Sequence, residues 1–281
     1  MALWQAHHVK AQLEALDHQV EIKIIVTQGD SIQHLSFDKM EGKGFFTKEI
    51  EKELLDKSID LAIHSHKDLE TNPPAGLTVA AVSKRANPCD LLLIAKDAYD
   101  QSERWHLKKG AVVGTSSARR QALVRAFRSD TELKDLRGNV PTRIQKLRDG
   151  QYDAILLAKA GLDRLEIDLS EFESVVLNPE QFVPAPAQGV LGLQIREGDE
   201  FMASVMEKLN VPEVGEQIEI ERKVLNMMDG GCQLPLGVYV EKDDIYVAYS
   251  PNKDQAAKNF HYKNDGSGNM AEKIVEELKS L

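Results

Sequence analysis

The segment VVGTSSARR, residues 112–120, shows how this chain is built. Its apolar start is typical of a β-strand, Gly114 ends that strand, and three hydroxyl residues then open a helix predicted from about Ser117 to Arg128. The same order of strand and helix recurs on both sides of this segment. Such alternation predicts an α/β fold with parallel sheets.

Predicted elements extend this pattern along the chain. Helices are predicted over residues 3–16, 47–57, 141–148 and near Leu162, and strands over residues 20–27, 60–65, 77–82, 90–95, 111–114, 154–157 and 174–177, with another strand ending at Leu136. Beyond residue 195, a long helix (213–228), two strands (236–241 and 245–249) and a last helix (270–281) predict a smaller α+β domain.

Two Pro-containing breaks, at Asn87-Pro88 and in FVPAPAQ (residues 182–188), mark the predicted boundaries. Domain 1 is expected over residues 1–87, domain 2 over 88–182, a return segment of domain 1 over 183–208, and the C-terminal α+β domain over 209–281.

Composition places the chain among soluble globular proteins. Of its 281 residues, 42% are hydrophobic and 28% charged, and no apolar run approaches the ~20 residues of a membrane helix. The first residues lack the basic and apolar regions of a secretory signal, and two cysteines cannot build a disulfide framework. We therefore expect a cytoplasmic protein without a membrane partner.

Positive charge is concentrated in one stretch. Residues 104–148 hold 12 Lys and Arg against 3 Asp and Glu, a net +9, whereas the whole chain carries −10 and the remainder therefore −19. Only Trp105 and Phe127 could stack on bases there. The pattern favours a polyanionic small molecule over a nucleic acid.

The start of the helix after Gly114 is a candidate anion site. Free amides and the helix dipole favour a negative group there, and Arg119 and Arg120 add forked donors that match carboxylates. Arg137 and Arg143, in LRGNVPTR at residues 136–143, strengthen this interpretation. The alternative is an ordinary N-cap with solvated arginines.

IHSHKD, at residues 63–68, is a second candidate. Strand alternation puts His64 and His66 on one face, but no third ligand is evident, and no metal is predicted. Lys67 and Asp68 are expected at the end of a parallel strand, where α/β folds bind ligands. A carboxylate there could stabilise a cation or move a proton; the alternative is a surface Lys–Asp pair.

A third candidate is GGCQLP, at residues 230–235, where two glycines let the thiol of Cys232 project. The alternative is a buried structural cysteine, which is the interpretation given to Cys89. The glycines around Lys43 suit an active-site loop with that lysine as an anion contact.

Together these segments resemble the porphobilinogen deaminase family, also called the hydroxymethylbilane synthases. The matching blocks are ALWQAHHVK (2–10), GKGFFTKEIE (42–51), DLAIHSHKD (60–68), GTSSARRQ (114–121), LRGNVPTR (136–143), DAILLAKAGLDRL (153–165), PAPAQG (184–189) and GGCQLPLG (230–237). The resemblance implies two domains related to type II periplasmic binding proteins and a smaller C-terminal α+β domain that carries the cofactor cysteine.

The resemblance also implies a reaction and a cofactor. Four porphobilinogens are joined head to tail into hydroxymethylbilane, with ammonia released at each addition, in tetrapyrrole (haem) biosynthesis. The chain would be primed by a dipyrromethane held through a thioether at Cys232, and Asp68 would be catalytic. The residues implied to bind the cofactor are Ser65, Lys67, Thr115, Ser116, Ser117, Arg119, Arg120, Ala158 and Gln188; those implied to bind substrate are Arg137, Arg143, Arg164 and Lys43.

One departure concerns the first block, which in the family normally follows a strand with an Arg and a Ser. Here Met1 stands just before Ala2, so domain 1 is expected without that strand. Either Met1 lies downstream of the true start, or this shortened form is impaired. A separate alternative, suggested by the pair of domains, is a non-catalytic module that binds anionic solutes. The resemblance further implies a monomer that passes its product to uroporphyrinogen III synthase.

Overall fold

The computed structural model describes residues 1–27, 47–231 and 233–281, which form two compact units. Unit 1 comprises Met1–Ala86 and Ala187–Glu219, and unit 2 comprises Asn87–Pro186 and Ile220–Leu281. Residues 220–281 belong to the same compact unit as residues 87–186. The separate C-terminal domain that the sequence predicts therefore stays a prediction.

The bounds of the elements are as follows. The α-helices of the described residues are α1 (Ala2–Glu14), α2 (Lys48–Leu55), α3 (Ala118–Phe127), α4 (Val140–Arg148), α5 (Lys159–Leu165), α6 (Glu200–Glu207), α7 (Pro212–Met227) and α8 (Met270–Lys279). The strands are β1 (Ala62–Ser65), β2 (Leu77–Val82), β3 (Asp90–Ile94), β4 (Val112–Gly114), β5 (Glu132–Lys134), β6 (Ala154–Ala158), β7 (Glu173–Val176), β8 (Leu191–Arg196), β9 (Leu236–Glu241), β10 (Asp244–Tyr249) and β11 (Lys258–Lys263). Short 3-10 helices lie at His66–Asp68, Lys96–Ala98 and Arg104–His106.

Unit 1 contains a three-stranded sheet in which β8 lies between β1 and β2 and runs antiparallel to both. Val9 and Leu13, four residues apart on α1, pack with Leu193 of β8 and Met206 of α6. This spacing puts both α1 side chains on one face of the helix. The apolar face of α1 therefore helps to form the unit 1 core.

Unit 2 contains a five-stranded sheet in the order β5-β4-β6-β3-β7. Strand β3 is buried along its whole length: Leu92 and Ile94 belong to one hydrophobic cluster, and Leu91 and Leu93 belong to another. A strand that is covered on both faces has a continuous apolar sequence, which explains the run of apolar residues in DLLLI at residues 90–94.

A second sheet of unit 2, in the order β9-β10-β11, is antiparallel throughout. Val238 and Val247 from its first two strands pack with Val224 of α7 and with Ile274 and Leu278 of α8. The alternation of apolar residues in β9 and β10 and the apolar face of α8 together build this α+β core.

The predicted α/β class is confirmed, but the expectation of parallel sheets holds only in part. Strand β4 is parallel to β5 and β6, whereas β3 is antiparallel to β6 and β7, and the unit 1 sheet is antiparallel. The reason is connectivity: β1 and β3 pair with strands far along the chain, so no short strand–helix–strand crossover fixes their direction.

Two of the predicted strands differ from the structure, and some observed elements were not predicted. Within the described residues, no strand is present over residues 20–27, where one was expected, and Ile24 and Val26 are 70% and 71% exposed. The strand expected to end at Leu136 ends at Lys134. Helix α6 and strands β8 and β11 were not predicted. None of the described helices combines the length and apolar character needed to cross a membrane.

Candidate functional site

The turn after β4 has the hydrogen bonds of a helix N-cap. Ser117 Oγ accepts from the amide of Arg120 at 3.5 Å, and Thr115 Oγ1 accepts from the amide of Ser117 at 3.2 Å. Ser116 Oγ donates to the carbonyl of Leu136 at 3.1 Å. The three predicted hydroxyl residues are thus confirmed as the opening of α3, where the helix dipole favours an anion.

Arg119 and Arg120 share one carboxylate, that of Asp90. Arg119 Nη2 lies 2.8 Å from Asp90 Oδ2, and Arg120 Nη2 lies 2.7 Å from Asp90 Oδ1. Arg119 Nη1 also donates to the carbonyl of Val183 at 2.7 Å, and Arg120 Nη1 to that of Leu156 at 3.0 Å. The alternative of solvated arginines is therefore wrong, because both side chains are buried.

This arginine cluster, defined as Asp90, Arg119 and Arg120, keeps a net charge of +1. Burial lowers the pKa of Arg119, and the Asp90 carboxylate acts in the opposite direction. An arginine stays protonated in proteins, so two guanidinium charges face one carboxylate. One further negative group would neutralise the cluster.

The cluster also has unused donors. The Nε–H groups of Arg119 and Arg120 are buried and have no hydrogen-bond partner among the described residues. An unsatisfied donor on a buried cation is unfavourable, and a carboxylate is the group that satisfies it best. The donor set therefore fits the carboxylate arms of the dipyrromethane that the resemblance implies.

Asp90 was missed in the sequence analysis. The signal available was an acidic residue at the start of an otherwise apolar strand, where a buried carboxylate requires a cationic or hydrogen-bonding partner. Ala158 lies opposite Asp90 in the antiparallel β3–β6 pair, which brings this predicted residue to the cluster. Cys89, beside Asp90, is buried, as expected of a structural cysteine.

The charge count over residues 104–148 overstated the positive charge available to a ligand. Among the described residues, at least eight of the twelve Lys and Arg residues have an acidic partner within 4.0 Å, and several partners lie outside the stretch. The eight are Lys108, Lys109, Arg119, Arg120, Arg125, Arg128, Lys134 and Arg148. Net charge by sequence counting is therefore weaker support for ligand binding than the geometry of the cluster.

The predicted substrate arginines lie on a loop and two helices of unit 2. Gly138 has the predicted left-handed backbone (φ +110°), and a Cβ there would lie 2.7 Å from Thr142 Cγ2. Arg143 Nε donates to the Gly138 carbonyl at 2.7 Å, and Arg137 is half-buried just before the turn. Arg164 lies on α5, where burial lowers its pKa. Their roles stay predictions.

A second group of predicted residues lies in unit 1. Ser65 ends β1, and Lys67 and Asp68 belong to the 3-10 helix that follows. Lys67 Nζ donates to Oε1 of the buried Gln188 at 3.4 Å, whereas Asp68 is exposed. The expected place at the end of a parallel strand is wrong, since β1 is antiparallel to β8, but the residues do follow a strand directly.

His64 is a packed neutral side chain. Its Nε2 lies 3.1 Å from Gln194 Oε1, and Gln194 Nε2 donates to Glu51 Oε1 at 3.2 Å. Burial lowers the pKa of His64 to about 4, against the effect of its hydrogen bond to Gln194. His66 is buried as well. Within the part of the chain that the structure describes, no group of three or more His, Cys, Asp or Glu side chains could hold a metal ion.

Two predicted residues, Lys43 and Cys232, lie outside the described residues. Beside Cys232, Gly230 is closely packed, since a Cβ there would lie 2.6 Å from Leu234 Cδ2. Nothing within 4 Å would meet a Cβ at Gly231. The projection of the Cys232 thiol stays a prediction.

Comparison with protein families matches residues 1–204 to the family described as "Porphobilinogen deaminase, dipyromethane cofactor binding domain". The porphobilinogen deaminase of Maridesulfovibrio salexigens is 43% identical over 249 residues, which is 87% of this chain and 79% of that protein. The porphobilinogen deaminase of Oceanobacillus iheyensis is 42% identical over 251 residues, which is 88% of this chain and 80% of that protein.

Among solved structures, an ancestral cationic amino acid solute binding protein, AncCDT-1, is similar over 73% of this chain and 77% of its own. The sequence identity is 16% and the TM-score 0.44.

Proposed function

The chain belongs to the porphobilinogen deaminase family, and from this we propose which residues carry the reaction. The enzyme is a transferase that joins four porphobilinogens head to tail into hydroxymethylbilane in tetrapyrrole (haem) biosynthesis. Its cofactor is a dipyrromethane. The resemblance drawn from the sequence blocks is confirmed, and the alternative of a non-catalytic solute-binding module is not favoured.

Asp68 is proposed as the catalytic carboxylate. Each addition breaks the C–N bond of a substrate aminomethyl group and forms a C–C bond to the free α-carbon of a pyrrole; the nitrogen leaves as ammonia and the α-carbon loses its proton. Positive charge develops on the ring that loses ammonia, and a carboxylate stabilises it. Asp68 is exposed in the 3-10 helix that follows β1, so its side chain is accessible to a ligand. Its carboxylate would accept hydrogen bonds from pyrrole N–H groups.

The arginine cluster is the observation on which the cofactor site rests. We propose that Cys232 forms the thioether and that the residues implied by the family resemblance hold the cofactor carboxylates. The proposed donors and contacts are Thr115, Ser116, Ser117, Arg119, Arg120 and Ala158 in unit 2, and Ser65, Lys67 and Gln188 in unit 1. When bound, the dipyrromethane supplies the free pyrrole α-carbon that primes chain growth. The two buried, unpaired Nε–H groups support this assignment.

Cationic side chains elsewhere are proposed to bind the substrate. Each porphobilinogen carries an acetate and a propionate, so the growing chain gains two negative charges per ring. Arg137, Arg143, Arg164 and Lys43 are the proposed partners of these carboxylates, because guanidinium groups bind carboxylates with paired hydrogen bonds.

We further propose a hydroxymethylbilane synthase that acts as a monomer in the cytoplasm, without a nucleic-acid or membrane partner. Its linear product would be passed to uroporphyrinogen III synthase. The family resemblance supports the monomer and the transfer of the product, and the composition of the chain supports the other two statements. Size-exclusion chromatography with light scattering would test the monomer, and a dimeric mass would contradict it.

The decisive test combines turnover with intact-protein mass. Purified chain should consume porphobilinogen and carry a covalent adduct of dipyrromethane mass. Cys232→Ala should lack both, while Cys89→Ala, the matched control at the other cysteine, should retain both. An unmodified chain without turnover would contradict the proposed function, and an adduct that persists in Cys232→Ala would contradict the attachment residue.

A further inference from the structure

Gln5 is a polar residue on the buried face of a helix. It shares that face of α1 with Val9 and Leu13, and its side chain is 4% exposed. Helical spacing of four residues predicts apolar side chains on such a face. A buried amide here needs a hydrogen-bond partner, and the partner it has is a residue of the proposed cofactor site.

That partner is Ser65, whose Oγ accepts a hydrogen bond from Gln5 Nε2 at 2.9 Å. A hydroxyl has one proton to donate and two lone pairs that accept. Because the Gln5 amide occupies one of the lone pairs, the proton of Ser65 is left for another acceptor. Ser65 is half-buried at the end of β1, directly before the turn that carries Lys67 and Asp68.

We propose that Gln5 is a positioning residue that sets the hydrogen-bond polarity of Ser65, so that Ser65 donates its proton to a carboxylate of the pyrrole ligand. The inference rests on the proposed function, since it takes Ser65 as a cofactor-binding residue. Gln5 itself need not touch the ligand. Its contribution is to keep the Ser65 hydroxyl from donating its hydrogen bond to the side chain at position 5.

Gln5→Glu tests this polarity, because it keeps the shape of the side chain and replaces the amide donor with an acceptor. The Glu carboxylate would take the proton of Ser65. We expect apoprotein of this variant, incubated with porphobilinogen, to gain the covalent adduct on the order of tenfold more slowly than the parent chain, as loss of one hydrogen bond to a charged group predicts. Gln12→Glu, the same change at an exposed site of α1, should leave the rate unchanged.

The Ser65→Ala background separates polarity from the added negative charge. Without the hydroxyl, Gln5→Glu has no proton to redirect, and we expect it to slow adduct formation no further. Equal slowing in both backgrounds would mean that the new charge acts directly on the ligand and would overturn the proposal. A Gln5→Glu variant that loads at the parent rate would overturn it too.

A third measurement tests the Gln5–Ser65 hydrogen bond without any need for enzyme turnover. In isotope-labelled apoprotein, the side-chain amide proton resonance of Gln5 should move upfield in Ser65→Ala, because a hydrogen-bonded amide proton resonates downfield. An unchanged resonance would refute the pair. A parent chain that neither gains the adduct nor consumes porphobilinogen would contradict the proposed function. The resonance would still show whether Gln5 donates its hydrogen bond to Ser65.

Discussion

The carboxylate of Asp90 accepts a hydrogen bond from Arg120 Nη2 at 2.7 Å in the interior of unit 2. Arg119, the preceding residue, binds the other carboxylate oxygen. Two adjacent guanidinium groups repel each other, and in a buried site the repulsion is weakly screened. One shared carboxylate therefore lets both cations lie at the opening of α3, with one positive charge left for a ligand.

Asp90→Ala should destabilise unit 2 strongly. Removing the shared carboxylate leaves two buried cations without a counter-charge, and breaking a buried ion pair in this way costs about 3–5 kcal/mol. The unfolding free energy from urea titration measures the loss. Glu171→Ala, which removes the exposed partner of Arg148, should cost less than about 1 kcal/mol. Equal effects of the two changes would argue against the role given to Asp90.

Arg120→Ala should yield protein without cofactor, but the loss could arise from the fold as well as from the ligand. Arg120→Gln separates the two, because it leaves Asp90 and Arg119 as a buried ion pair without net charge and keeps an amide that donates hydrogen bonds. We expect this variant to unfold near the parent midpoint and still lack the adduct by intact mass. Full cofactor loading in Arg120→Gln would show that the Arg120 charge is dispensable.

The local sequence predicted α3 and its cap well, because the hydrogen bonds of the cap join residues only two or three positions apart. Asp90 escaped prediction because its partners follow 29 and 30 residues later, and only the β3–β6 pairing brings them together. The charge of residues 104–148 was overestimated for the same reason: Arg125 pairs with Asp254 and Lys108 with Asp153, acids that a count over the stretch leaves out.

The direction of the strands was the other weak point of prediction. β1 pairs with β8, far along the chain, so its direction depends on tertiary contacts rather than on a local turn. The alternation of Val20, Ile24 and Val26 is also local, but a strand is stabilised by its neighbour's hydrogen bonds. Alternation alone therefore predicts strand propensity and not strand formation.

The stability of the chain should fall as the pH falls from about 6.5 to about 4, in part through His64. Burial holds the pKa of folded His64 at about 4, below its unfolded value of 6.5, so below pH 6.5 the unfolded state binds a proton that the folded state does not. The shift corresponds to about 3 kcal/mol lost over this range and no effect above it.

Comparison with His64→Gln isolates this contribution from other titrating groups. The glutamine amide can still reach Gln194, but it does not titrate. The difference in unfolding free energy between parent and variant should therefore decline by about 3 kcal/mol from pH 7 to pH 4. A difference that is constant with pH would mean that His64 titrates normally.

Gly189→Ala should be poorly tolerated in unit 1. Gly189 has φ +90°, and a Cβ there would lie 2.6 Å from the carbonyl oxygen of Ala86. Backbone strain and this collision together should cost more than about 2 kcal/mol. Gly198→Ala is the matched control, because Gly198 has φ +76° but open space around it. Its cost should be about 1 kcal/mol, and a Gly189 variant no worse than this control would rule out the close approach.

Asp68→Asn should preserve the fold and the covalent cofactor but nearly abolish elongation. The amide has almost the shape of the carboxylate, yet it carries no charge to stabilise the cation that forms as ammonia leaves. We expect kcat for porphobilinogen consumption to fall far more than tenfold, a barrier increase well above about 1.4 kcal/mol. Intact mass should still show the adduct, which distinguishes a fault in elongation from a fault in cofactor assembly.

Asp97→Asn is the control for Asp68→Asn, since Lys96-Asp97 repeats the Lys67-Asp68 pair in another exposed 3-10 helix. Its turnover should match that of the parent. If Asp68→Asn kept kcat within about tenfold of the parent, the carboxylate could not be the main stabiliser of the cation. The surface ion-pair interpretation of Lys67 and Asp68 would then be the better one, because an exposed pair contributes little to either stability or catalysis.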